Sequence, residues 1–313
     1  MKFVSYRITG LLLILSFLFC GCSKQSYKKS TQLLMGTFVE VVSDDSRAGP
    51  IAFAEIKRLD NLLSKFNAQS EIYKLNQTGK SKISPDTLSV IKKSIQIYKQ
   101  SNGAFDITVA PLVDIWKEVI HTKILPQEDR VSTAKALVGS ENIFIDEKKS
   151  MVKFLKKGMR IDLGAIAKGY AVDCAVKKLQ QAGIRSCLVN IGGNMYGLGK
   201  KGKHCWKVGI RHPRKKNQIV GYILLCDQAI ATSGDYEQYA QIKGKRIGHI
   251  INPKTGYPVN NNIVSVTVIS PSATNCDALG TAIFVLGKEN GLKLSERYLK
   301  TQTIILTKED LNV

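Results

Sequence analysis

Acid is scarce in this chain. Among 313 residues, 25 Asp and Glu stand against 46 Lys and Arg, giving a formal charge of +21. An excess of that size points to an anionic partner: a lipid surface, a nucleotide or an acidic protein. Nucleic acid ranks last. Aromatics are only 7% of the residues, and the basic residues come in scattered pairs such as Lys92-Lys93, Lys148-Lys149 and Lys215-Lys216. No nucleic-acid module pattern appears. A linker, a low-complexity tract and a repeat of solenoid period are also missing, so nothing divides the chain into domains. Cysteine spacings match no metal knuckle.

The apolar run Leu11 to Phe19 is too short to span a bilayer comfortably. With Lys2 and Arg7 before it, the run fits a signal-peptide core. It ends in Leu18-Phe-Cys-Gly-Cys22, which resembles a bacterial lipobox, with Gly21 before the cleavage point and Cys22 as the lipidated residue. Phe19 and Cys20 are less usual at their positions. A plain secretory signal or an uncleaved signal anchor are the competing readings. On the favoured one, residues 1–21 are a lipoprotein signal peptide, 22–30 a polar tether and 31–313 one globular unit. The protein is then expected as a lipid-anchored membrane protein facing the periplasm or cell exterior. Five cysteines remain, Cys174, Cys187, Cys205, Cys226 and Cys276. Buried free thiols are the default reading, with room for at most two bridges.

Apolar periodicity predicts helices over Ile51 to Lys65, Thr87 to Ser101 and Asn275 to Leu286. Gln32 to Ser43, Ser186 to Ile191, Lys207 to Arg211, Ile219 to Cys226 and Ile263 to Ser270 read as extended. Strands and helices intersperse without a βαβ rhythm, which argues an α+β fold of mixed sheets and helices.

The most informative stretch is Met159 to Asp173. A short extended run ends at Asp162, Gly164 turns the chain, and a helix starts with Lys168 in its first turn. Val172, Val176 and Leu179 form its apolar stripe, and Gly183 ends it. Free N–H groups and the positive dipole end make such a turn an anion site, and Lys168 adds a point charge suited to phosphate. An ordinary strand–turn–helix with a surface lysine is the competing reading. Downstream, Asp277 and Thr281 lie four apart on a predicted helix, so their oxygens share one face. A carboxylate and a hydroxyl suit a hard cation such as Mg²⁺, although an acid in a first helical turn is also stabilised by the dipole. His249 precedes the Asn252-Pro-Lys-Thr-Gly256 turn. It is one of four histidines, placed as a general base or as a satisfied structural residue. Ala231 to Tyr236 reads as a small-residue turn, Gly103 to Thr108 as a helix end followed by extended chain, and Gly36 as a glycine inside a strand.

In their order these segments resemble the ApbE family, lipoproteins that act as FAD:protein FMN transferases. Met35-Gly-Thr37, Leu63-Ser-Lys-Phe66, Ser70-Glu-Ile72, Gly103-Ala-Phe-Asp106, Arg160 to Tyr170, Asn190-Ile-Gly-Gly193, Ser233-Gly-Asp-Tyr236, His249 to Gly256 and Asp277 to Thr281 carry the likeness. It implies an FAD cleft with Mg²⁺ on the pyrophosphate, held by Asp277, Thr281 and the Ala165 carbonyl. Met35, Phe66, Ala104, Phe105, Asp106, Asp162, Lys168 and Ile251 stand at positions that contact FAD. Phe66 replaces a tyrosine common beside the isoalloxazine, and Asn252 replaces a frequent aspartate. A threonine hydroxyl of an acceptor protein would attack the FMN-side phosphorus, with His249 as base and Asp106 as the alternative proton acceptor. The family's acceptors are subunits of membrane redox pumps such as sodium-translocating quinone reductase and Rnf-type complexes. An FAD pyrophosphatase yielding FMN and AMP, or a non-catalytic flavin-binding lipoprotein, are the alternatives.

Overall fold

The computed structural model describes residues 26–311; the expected signal peptide and Cys22 lie outside them. Seven strands form one antiparallel sheet in the spatial order Lys28–Leu34, Thr37–Ser43, Cys187–Ile191, Asn194–Leu198, Gln228–Gly234, Ile263–Ser270 and Gln302–Thr307. Alternate residues along these strands enter two different cores, as the period of two requires. Val39, Val41, Val189, Ala229, Ala231, Val266 and Val268 face the helices Ala48–Leu63, Ala167–Gln181 and Ala273–Leu286. Val42, Leu188, Met195, Ile230 and Ile269 face the other way, under a two-stranded ribbon of Trp206–Arg211 and Ile219–Leu225. The result is three layers: helices, sheet and ribbon. A third, smaller core joins helix Ala110–Thr122 to Val131, Ala134 and Ile251.

The α+β reading holds, with helix ends shifted by local capping. Ser84 accepts from the Thr87 N–H and starts the second expected helix at Pro85. Ser272 does the same for the late one, which begins at Ala273 rather than Asn275. Three expectations need correction. Gln32 to Ser43 is not one extended run but a hairpin, with Leu34 opposite Thr37. Met35 and Gly36 both take positive φ, 52° and 71°, which fits the two-residue turn that matches strand twist. The tether is shorter than expected, because Lys28 to Ser30 already pair with Val41 to Ser43. Cys205 and Cys226 are bonded to each other across the ribbon's open end, whereas Cys174, Cys187 and Cys276 are free. Trp206 faces Leu225 in the ladder, so the two cysteines just outside that pair are brought together by register. Among the described residues no helix is long and apolar enough to cross a membrane.

Candidate functional site

Two helices build the centre of the site by capping each other. Asp173, on helix Ala167–Gln181, accepts from the Ala273 and Thr274 N–H groups at 2.7 and 2.9 Å, and from the Ser272 and Thr274 hydroxyls. In return Asp277, on helix Ala273–Leu286, accepts from the Gly169 N–H at 2.9 Å. One N–H of this helix N-terminus is thus taken by the protein's own Asp277 carboxylate. Ala167 N–H is also taken, by the Leu163 carbonyl. What remains pointed outward is the second oxygen of Asp277, 4.0 Å from the Lys168 ammonium. Lys168 itself arches back to donate to the Gly164 carbonyl at 2.8 Å.

The close approach has a steric condition. A Cβ on Gly169 would stand 2.3 Å from the Ala273 carbonyl oxygen and 2.8 Å from the Asp277 Cβ, against backbone that has nowhere to go. Gly169→Ala should cost about 1–3 kcal/mol of stability through overpacking and displace Asp277 at the same time. A thermal melt checks this; a wild-type melting temperature would show that the two helices separate without strain.

Thr281 lies one turn beyond Asp277, as expected, and the Ser233 hydroxyl stands 3.5 Å from its own. Ser233 comes from the sheet strand Gln228–Gly234, which runs on through residues that read as a turn in the sequence. One carboxylate and two hydroxyls make a hard-oxygen set suited to Mg²⁺, which takes few protein ligands and fills the rest with water and phosphate oxygens. Ala165 sits half-buried just before the helix. Among the described residues there is no cluster of three His, Cys, Asp or Glu side chains suited to a metal, so thiolate or imidazole chemistry is not what this set offers.

A second group adjoins the Gly164 turn. Asp162 accepts from the Gly164 N–H at 2.8 Å and pairs with Lys65 at 3.0 Å. Burial pushes its carboxyl upward, but the Lys65 ammonium and the Gly164 N–H outweigh this and hold it below the ordinary range. Lys65 is itself buried. Asp162 and Asp114 overcome that desolvation and keep it charged. Arg160 reaches the other oxygen of Asp114 at 2.6 Å. Beside this network Phe66 is 77% exposed, with Lys65 and Lys117 ammonium groups 5.2 and 5.6 Å from its ring centre. An exposed ring flanked by cations is a ready platform for an anionic, aromatic ligand. Lys65, Asp114 and Lys117 carry no motif of their own in the sequence; only the Phe66 block marks their neighbourhood.

His249 follows the strand Lys245–Gly248 rather than opening a strand of its own. Its Nδ1 stands 3.3 Å from the Gln238 carbonyl. A carbonyl only accepts, so Nδ1 carries the proton and Nε2 is left with its lone pair. Burial lowers the pKa below the ordinary 6.5, and the nearby Lys168 and Lys117 charges lower it further against the Gln238 carbonyl and Asp235. The imidazole is thus neutral at pH 7 and within electrostatic range of both lysine groups. The turn after it is docked by Trp116, which donates to the Gly256 carbonyl at 2.8 Å, and by Ile251 in the small third core.

Other expected positions divide. Met35 lies at the hairpin tip and donates its N–H to Asp60 at 2.8 Å. Ala104, Phe105 and Ile251 are buried at 4%, 2% and 6% exposure, and the Ala104 and Phe105 N–H groups are donated to Ser101. Asp106 needs a correction as proton acceptor. One oxygen accepts from the Thr108 N–H, the Thr108 hydroxyl and the Ser140 hydroxyl, and the other from the Ser140 N–H. It caps a short turn, and its burial pushes the carboxyl upward against those hydrogen bonds. Asp106 also lines a recess of about 310 Å³ with Gly103, Gly139, Pro253 and Lys254. A wider cavity of about 740 Å³ lies behind the hairpin Tyr239–Gly248, against Trp116 and Tyr257, and holds none of the expected site residues. Glu237 was missed by sequence reasoning. Glu237 is solvent-exposed, and its carboxyl is pushed up by desolvation and by the Asp277 charge, against the pull of Lys168 and Arg211.

A model of the ApbE family matches residues 35–305, a span that holds every residue of these two groups. The chain belongs to the ApbE family. It is 35% identical over 249 residues to an FAD:protein FMN transferase of Vibrio cholerae, covering 77% of this chain and 74% of that one. A Klebsiella pneumoniae protein of the same description is 32% identical over 284 residues, 88% of each chain. Among solved structures, the ApbE protein of Thermotoga maritima superposes with a TM-score of 0.83 at 31% identity, covering 91% of this chain and 95% of that one. The flavin transferase ApbE of Vibrio cholerae gives 0.80 at 29% identity, over 90% and 94%.

Proposed function

We propose that this ApbE-family enzyme transfers the FMN moiety of FAD to a threonine hydroxyl of an acceptor protein in a Mg²⁺-dependent reaction that releases AMP. Flavin transfer is the activity named for its relatives over most of their length. The observation that supports the finer reading is the Asp277 oxygen 4.0 Å from the Lys168 ammonium, which itself donates to the Gly164 carbonyl, with Thr281 one helical turn on from Asp277.

Asp277, Thr281 and the Ala165 carbonyl would hold the Mg²⁺, which supplies charge neutralisation for the two phosphates as AMP leaves. Lys168 adds a fixed positive charge on the same anion. Phe66 stacks on the isoalloxazine, with Lys65 and Lys117 beside it. The acceptor hydroxyl is a poor nucleophile at neutral pH and needs a base. Neutral His249, with Nε2 free, takes that proton as the new phosphoester bond forms and the bond to AMP breaks. The acceptors that fit are subunits of membrane redox complexes, of the sodium-translocating quinone reductase or Rnf type.

The test is incubation with FAD, Mg²⁺ and an acceptor domain, reading protein-bound flavin fluorescence against free FMN. Bound flavin supports transfer; FMN appearing only in solution would establish a pyrophosphatase instead. The same reading places the enzyme outside the cytoplasmic membrane on a lipid at Cys22. Cys22→Ser should release it to the soluble fraction, since one acyl signal is lost and only weak surface contacts remain. Retention through a high-salt wash would point to an uncleaved signal anchor.

A further inference from the structure

We propose that the outer face of the ribbon Trp206–Arg211/Ile219–Leu225 rests on an anionic lipid surface. The inner face is spent on the sheet: Trp206, Val208, Ile210 and Leu225 are buried there. Among the described residues, no element of the fold packs against the outer face. Tyr222 and Leu224 are 58% and 61% exposed, and Ile219 and Val220 42% and 41%. Lys207, opposite Leu224 in the ladder, holds its ammonium 3.9 Å from the Tyr222 ring centre. Aliphatic side chains, one amphipathic ring and a lysine on one exposed face are the composition of an interfacial element. From Trp206 to Leu225 the chain carries Lys207, Arg211, Arg214, Lys215 and Lys216 and not one carboxylate.

The position of the chain's N-terminal segment selects lipid over other occupants. Tyr27 packs edge-on against Trp206, with ring centres 5.5 Å apart. Its hydroxyl sits 3.0 Å from the Ser186 hydroxyl and accepts from the Gly202 N–H at 2.8 Å. Lys201 stands over both rings, between Lys200 and Lys203. The chain therefore joins the fold at the ribbon's Trp206 end, inside a cluster of lysines. This leg of the argument rests on the lipid-anchor reading. Only four residues separate Cys22 from Tyr27, five steps and at most about 18 Å of chain, so an acyl group at Cys22 holds this end of the ribbon within reach of headgroups. A single lipid gives marginal membrane binding, and a basic, apolar face supplies the second signal. Asp277, Thr281 and Lys168 belong to the helix layer, across the sheet from the ribbon, so this seating leaves the site open to acceptors.

The test uses the chain from Ser23 onward, which keeps every residue of the three cores, and sediments it with vesicles. One set is phosphatidylcholine, the other phosphatidylcholine mixed with phosphatidylglycerol. Binding is expected to the mixed vesicles at low salt, with release as salt rises. Lys207→Gln should weaken it about fivefold, the effect of one basic residue near an anionic surface, and Tyr222→Ser with Leu224→Ser should weaken it further. Flavin transfer in solution should be unchanged in both variants, which certifies their fold. Equal binding by the ribbon variants, equal binding to both vesicle types, or a ribbon-dependent dimer without lipid binding would each overturn the proposal. Failure of the lipid anchor is read separately, by Cys22→Ser in the full chain.

Discussion

Asp277→Asn should abolish flavin transfer while leaving the protein folded. The carboxamide oxygen still accepts from the Gly169 N–H, so the mutual capping of the two helices survives. What disappears is the negative charge on the outward oxygen, the one that stands 4.0 Å from Lys168. Without it a single carboxylate's attraction for Mg²⁺ is lost, and hydroxyls and a carbonyl alone bind a divalent cation weakly. The expected fall in turnover is at least about 10²-fold, the scale for removing one preorganised electrostatic contact from a reacting phosphate. Asp277→Ala should lose the same activity and in addition about 1 kcal/mol of stability, since it also removes a helix cap. Comparing the two variants in melts and in Mg²⁺ titrations separates the roles. Full turnover in Asp277→Asn, or wild-type turnover in excess chelator, would remove Asp277 and Thr281 from the metal.

How far the sequence reveals such a site depends on whether the relevant geometry is local. The Asp277/Thr281 pair was legible because four-residue spacing on a helix fixes a shared face whatever surrounds it. Lys168 was legible for the same reason, as a first-turn residue after a glycine. The reciprocal caps were not. Asp173 looks like one more polar residue on an amphipathic helix, and its four contacts come from a segment one hundred residues away. The Cys205–Cys226 bridge was hidden likewise, since it follows from the ladder register of a ribbon whose strands could be read but not aligned. The Met35-Gly36 turn was obscured by Leu33-Leu34-Met35, an apolar run that continues the strand pattern, with a methionine in a conformation usually left to glycine or asparagine. Lys28 to Ser30 read as tether because an edge strand exposed on both sides loses the alternation that marks a buried one. Asp106 shows the opposite failure. Its block drew a chemical role, and the structure spends its carboxylate on Thr108 and Ser140.

His249→Ala should slow flavin attachment by about 10²–10⁴-fold at saturating FAD, the usual contribution of a positioned base, with little change in FAD affinity. The Gln238 carbonyl orients the imidazole through Nδ1, so on the proposed reading its loss removes a proton acceptor rather than a binding group. The pH profile carries the sign. Burial and the Lys168 and Lys117 charges favour the neutral ring and put its pKa below 6.5. The base form then predominates at pH 7 and is lost as pH falls through that lowered value. Transfer should be flat from neutral pH upward and decline on the acid side, and the decline should be missing from the residual activity of His249→Ala. Lys117→Met removes one of the two cations that depress the ring's pKa, so its acid limb should move toward higher pH. An acid limb that survives in His249→Ala, or one that stays fixed in Lys117→Met, would assign the titration to another group. A variant that loses FAD affinity but keeps its saturated rate would make His249 a ligand contact, with the base elsewhere. Asp106 is then a poor substitute, because every proton it faces is already donated by Thr108 or Ser140, and Glu237, whose carboxyl is pushed upward by desolvation and the Asp277 charge, becomes the group to replace next.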